Sequence, residues 1–166
     1  MNKKGDFTGL LFLLVSIASF AIFLLIVGHI APLISDSMAT QIGISTEINN
    51  SLSATTNVAE KTLPTLWMIM FGGLTLGLFA TSFFIRTHPI FVPIFVLLLI
   101  IAILVAVPLS NAYEELSNNA ELSGAAAQQS LIGFLMINLP LTTFILGLLS
   151  LIITFAKPGE DGSTLA

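Results

Sequence analysis

The chain has 166 residues, 55% of them hydrophobic and 8% charged, with a formal net charge of −4 and a mean hydropathy of +1.02. A water-facing domain carries roughly 25% charged residues, so this stock cannot cover a soluble surface and puts the chain in the membrane class. Its five scattered Lys and Arg make no nucleic-acid patch, and its lack of cysteine excludes disulfides, thiolate catalysis and cysteine-based metal sites.

A short charged lead-in, Met1 to Asp6, precedes an apolar run from Phe7 to Ile34, broken by the polar residues Thr8, Ser16, Ser19 and His29. As a helix rising about 1.5 Å per residue, this run outreaches a hydrocarbon core about 30 Å thick. The first span (7–34) must therefore tilt or project beyond the bilayer. Lys3-Lys4-Gly5 ahead of the run resembles the signal of archaeal prepilin-like proteins, which implies cleavage after Gly5. The chain departs from that family in having four apolar stretches rather than one. A Lys-Lys pair also serves as an ordinary anchor holding an N-terminus in the cytoplasm.

Residues 35–64 form a polar segment with few charges, in which Met38, Ile42, Ile48, Leu52 and Ala59 recur at near-helical spacing. That spacing predicts an amphipathic helix, either continuing the first span outward or lying on the membrane. A solvated, partly helical loop is the competing reading. Asn49-Asn50-Ser51 is a formal glycosylation sequon, a triplet that chance often supplies.

The second span (65–86) follows Pro64, whose missing N–H suits a first helical turn. Trp67 falls where an interfacial aromatic anchor is expected. Gly73 and Gly77 form a GxxxG, expected to let α-helices of this same chain approach closely. Phe83 to Ile90, carrying Arg86 and His88, then reads as a tight turn closing a transmembrane hairpin onto the third span (90–109). Pro93, in that span's first turn, is harmless. Beyond it lies a second polar segment, 110–130, with Tyr113 at its start and Glu114, Glu115 and Glu121 within it.

The last apolar stretch, 131–156, contains Asn138 and Pro140. Its preferred reading is one helix kinked at Pro140; the alternative is a shorter span starting at Pro140 with an interfacial lead. The breaker-rich tail, 157–166, is expected to be disordered.

With four spans both termini share a side with Arg86. That side collects Lys3, Lys4, Arg86 and Lys157, against Lys61 alone on the other. The positive-inside rule makes the basic side cytoplasmic, or interior in a virion, with 35–64 and 110–130 facing outward. The halves also parallel each other. Pro32 and Pro108 end the first and third spans, Pro64 and Pro140 sit near the starts of the second and fourth, and Arg86-Pro89 and Lys157-Pro158 follow. This is the pattern of an internal duplication about an axis along the membrane normal; cheap matching between apolar sequences competes with it.

Chemistry has little to stand on. No Asp, Glu, Lys or Arg lies centrally in a span, where such a group marks an ion or substrate path. The polar intramembrane candidates are Asn138, read as interhelical glue, and Thr142, together with hydroxyls such as Ser150. His29 and His88 fall on opposite sides and cannot share a metal in one protomer. Adjacent Glu114 and Glu115 diverge by about 100° on a helix. No phosphate loop, nucleophile elbow, HExxH or dinucleotide fingerprint occurs.

The sequence thus predicts an all-α, integral membrane four-helix bundle, one domain of two transmembrane hairpins. Gly73, Gly77, Gly147 and Ser150 are its helix-packing residues, and Lys3, Lys4, Arg86, Lys157 and Trp67 its topology anchors. It is expected to be no enzyme, to use no cofactor or metal, and to bind no nucleic acid. Its partners are the lipid bilayer and other membrane proteins or further copies of itself. Its expected setting is a prokaryotic plasma membrane or the internal membrane of a virion. The expected role is structural or accessory in a larger membrane assembly; the alternative is a holin-like pore-former or small transporter.

Overall fold

A computed structural model describes residues 5–41, 45–84 and 91–156, with side chains of the first segment described from Leu14 to Thr40. Among these residues the chain is helical, with no strand. The N-terminal helix α1 (Gly5–Gln41) is 37 residues long, about 55 Å at helical rise. A polar helix α2 (Thr46–Asn57) runs through one π-helical turn, Val58–Thr62, into the apolar α3 (Leu63–Phe84). Then come α4 (Val92–Ser117), a short α5 (Ser123–Gln128), α6 (Ser130–Ile137) and α7 (Leu139–Phe155).

Leu14–Thr40, Thr46–Phe84 and Val92–Ser117 are each long and apolar enough to cross a membrane. The α6–α7 pair joins them only if its two arms, bent by 74°, count as one span. A proline kink in a continuous helix is far gentler than that, so 131–156 is two helices meeting at Asn138. The cause is local. Asn138 leaves helical geometry at φ −97°, ψ 22°, and Pro140 has no N–H to continue the ladder.

The first polar segment is mostly helix, not loop. α1 runs straight on through Ser35 to Gln41, and α2 returns beside it. In this Ser/Thr-rich helical stretch the hydroxyls bond back one turn. Ser51 donates to the Glu47 carbonyl, Ser53 to Asn49, Thr55 to Ser51 and Thr65 to Lys61, at 2.7 to 3.0 Å. Such bonds satisfy the side chain without unwinding the backbone.

The core gathers around α1. Ala18, Ala21, Leu24 and Leu25 are fully buried there, together with Trp67 from α3, Ala106 and Tyr113 from α4, and Met136 from α6. The small Ala18 and Ala21 let α1 approach its neighbours closely. α7 packs most extensively on α4 and also on α3, whereas α3 and α4, consecutive in sequence, scarcely touch. The hairpin expected across Phe83 to Ile90 is therefore not a packed pair: α7 lies between its arms. Residues 85–90 of that turn, with Arg86 and His88, lie outside the described residues, as do Lys3, Lys4, Lys157 and the tail.

Candidate functional site

The polar and small side chains expected to matter fall into three places. The first is the seam where α7 meets α3 and α4. Ser82 on α3 and Ser150 on α7 are both buried, their hydroxyls hydrogen-bonded to each other at 2.5 Å. Thr154 donates to the Ser150 carbonyl at 2.8 Å, and its hydroxyl lies 3.4 Å from the Ser82 carbonyl. One turn up, a Cβ on Gly147 would collide with the Leu99 side chain of α4. Gly147 and Ser150 thus pack helices, and they do so because hydroxyls and a missing Cβ let backbones close in where larger side chains hold them apart.

The second place is the α6–α7 break. Asn138, expected to tie helices together, instead donates from Nδ2 to the Phe134 carbonyl of its own helix at 2.8 Å. Its carbonyl accepts the Thr142 N–H at 2.8 Å, starting α7, and Thr142 itself is half-buried. The cross-helix bond comes from a residue the sequence did not single out. Ser110 of α4, 4% exposed, donates to the Ile137 carbonyl at 2.6 Å, so α4 satisfies a carbonyl at the end of α6.

The third place is the part of the core where α5 and α6 meet α1, and there Gln129 is 3% exposed. Its Nε2 donates to the Leu24 carbonyl at 2.9 Å, while its Oε1 and the Tyr113 hydroxyl are buried with no hydrogen-bond partner. The amide reaches α1 only because position 28 is glycine, where a Cβ would stand 2.7 Å from Nε2. Sequence reading missed this contact. Its only signal was a glycine inside an apolar helix, and nothing in the sequence tied that glycine to a glutamine a hundred residues away.

Two expectations are corrected by these contacts. Trp67 is no interfacial anchor: it is wholly buried, stacks on Phe71 at 5.4 Å and directs its indole N–H at the Ile17 carbonyl 3.4 Å away. Its ring is apolar enough, and its N–H sufficiently partnered, to lie inside the bundle. Gly73 and Gly77 do not pack helices of this chain, for both are exposed and a Cβ on either would meet nothing within 4 Å. The groove they form looks outward between Leu66, Ile69, Met70 and Leu76, each exposed.

Among the described residues no group of three or more His, Cys, Asp or Glu is placed to hold a metal ion. His29 is half-buried on α1, and Glu114, Glu115 and Glu121 are exposed. Fold and contacts together define an all-helical protein with three or four candidate membrane spans. No family model matches the chain, and neither a curated protein nor a solved structure matches it.

Proposed function

We propose that this protein is a multi-pass membrane component that works by helix packing, as a structural or accessory subunit of a larger membrane assembly. The observation that carries the reading is the division of labour among its surfaces. Polar groups such as Ser82, Ser110, Trp67, Ser150 and Thr154 bond within the chain, while the faces turned outward are apolar. Within the best 18-residue windows of α2–α3 and of α4, only 11% is buried. Surfaces of this kind meet lipid tails or other apolar helices. The open Gly73/Gly77 groove lets a partner helix come close to α3. In this reading both termini and the Arg86 turn lie on the cytoplasmic side, or the interior side in a virion. The chain sits as a four-span bundle in a prokaryotic or virion membrane, its two halves arisen by duplication.

The experiment is purification from native membranes. Replacing Gly73 and Gly77 by Leu is expected to leave the fold intact, since nothing in the chain occupies that space, and to abolish co-purification with partners. Unchanged assembly with the groove filled and the outward segments truncated would sink the reading.

One feature favours an oligomeric pore or small transporter instead. Broken helices flank substrate and ion paths in many transporters, and α6–α7 is broken at an asparagine. A conductance in reconstituted vesicles that falls on Asn138→Leu or Thr142→Val supports this second reading; none from verified oligomers counts against it.

A further inference from the structure

Two polar atoms deep in the protein take no part in the contacts that hold its helices together. Tyr113 is fully buried and Gln129 is 3% exposed, yet the Tyr113 hydroxyl and the Gln129 Oε1 have no hydrogen-bond partner among the described residues. Leaving such an atom unpaired costs more free energy than an ordinary hydrogen bond contributes, and buried polar atoms are rarely left so. Turning the amide round is no remedy. Its Nε2 donates to the Leu24 carbonyl at 2.9 Å, and a carbonyl accepts only from a donor, so Oε1 is fixed as the free acceptor. The Tyr113 hydroxyl has a hydrogen bond to give.

The two atoms belong to one region. α4 and α6 pack side by side, with Ser110 bonded to the Ile137 carbonyl. About one turn further along α4, the Tyr113 hydroxyl comes against Gly133. Gly133 follows Gln129 by one helical turn, its N–H bonding the Gln129 carbonyl at 2.9 Å. Residues four apart leave the same face of a helix. Gly133 also keeps space open beside the hydroxyl. Apart from its own stretch of helix, a Cβ there would meet nothing nearer than the Tyr113 hydroxyl, 3.9 Å away. Solvent is close at hand, for Gly133 is half-buried, and Gln128 and Ser130 on either side of Gln129 are exposed.

We propose that this junction is a buried hydration site, in which a water between α4 and the α5–α6 break accepts a hydrogen bond from the Tyr113 hydroxyl and donates one to the Gln129 Oε1. Water is the guest these groups select. An unmatched donor near an unmatched acceptor is the arrangement that an internal water bridges. A metal ion finds too few ligands in two neutral oxygens, and no group of His, Asp or Glu among the described residues adds to them. A lipid chain or an apolar side chain would leave both atoms unpaired. The water completes a polar tie from the Leu24 carbonyl of α1, through Gln129, to Tyr113 of α4. It holds the chain at the point where Gln129 leaves helical geometry, at φ −104°, ψ 38°. The site does not depend on the accessory-subunit reading.

The test uses the full chain and the sign of one substitution. Tyr113→Phe keeps the ring and removes only the hydroxyl. If the hydroxyl were dry, its loss would stabilise the protein; if a water pairs it, the folding equilibrium constant in mixed micelles should fall about fivefold. In a Gln129→Leu background the same substitution should lose at least half of its effect, because the two groups share the water. A crystal structure of the unmodified chain grown from lipid should show a water oxygen within hydrogen-bond reach of both atoms. Greater stability on Tyr113→Phe, an equal loss in both backgrounds, or a structure in which Tyr113 and Gln129 bond each other with no water between them would each overturn the proposal.

Discussion

At the scale of single residues, three glycines alike in sequence have three different physical roles. Gly28 makes room for an amide that crosses to the α1 backbone, Gly147 makes room for Leu99, and Gly73 makes room for nothing in this chain. Substitution by Ala separates them. Gly28→Ala pushes Gln129 off the Leu24 carbonyl and leaves its Nε2 without a partner, beside the Gln129 Oε1 and Tyr113 hydroxyl that already lack one within the chain, an effect of about 1–3 kcal/mol. Gly147→Ala forces Leu99 out of its place, at about 1–3 kcal/mol for an overpacked contact. Gly73→Ala gains about 1 kcal/mol of helix propensity, or changes nothing. Reversible unfolding in mixed micelles measures all of them, and a Gly73→Ala protein less stable than Gly28→Ala would contradict these placements. Polar substitutions are milder. Ser82→Ala removes the hydroxyl bond to Ser150 at an expected loss of about 0.6 kcal/mol, the usual size of a hydrogen bond between membrane helices.

At the scale of elements, two irregularities set directions. The π turn at Val58–Thr62 lies between a polar helix and an apolar one, and its Ala59 is buried. A π turn holds one residue more than the α-helix around it needs. Deleting one residue from this turn should rotate α2 by about 100°, turning Leu52 away from α1. The expected readout is faster amide exchange throughout Thr46–Asn57 with α3 unchanged; unaltered exchange in α2 would show that its face does not matter. The α6–α7 break is the second irregularity. Ser110 satisfies the Ile137 carbonyl there, so Ser110→Ala should cost about 1 kcal/mol of stability and speed exchange at the start of α7 specifically. An effect spread evenly over the molecule would argue that Ser110 acts only through packing.

At the scale of the whole molecule, the sequence reading of 35–64 and 110–130 as outward segments is open to a labelling test. In sealed, oriented membranes an Asn49→Cys or Asn119→Cys variant should react with an impermeant maleimide from outside, while tags on both termini stay protected. Labelling of either cysteine only after permeabilisation would reverse the topology.

What the sequence determined by itself was the helical class and the positions of the apolar stretches. These follow from composition and from runs of adjacent residues, which depend on solvent preference and need no knowledge of partners. The 35–64 segment was half-legible: its period was readable, but whether it formed a helix depended on packing against α1. Contacts were not legible. Trp67 read as a belt residue because its height in the span was visible and its direction was not. Gly73/Gly77 and Gly147/Ser150 looked equivalent because spacing shows that a helix has a small face, never what that face meets. Only tertiary structure decided that α7, rather than α3, packs against α4, that Asn138 turns back on its own helix, and that Gln129 reaches the α1 backbone. The physical reason is the same in each case: hydropathy is a property of one segment, whereas burial belongs to a pair of surfaces, and the partner surface lies far away in the chain.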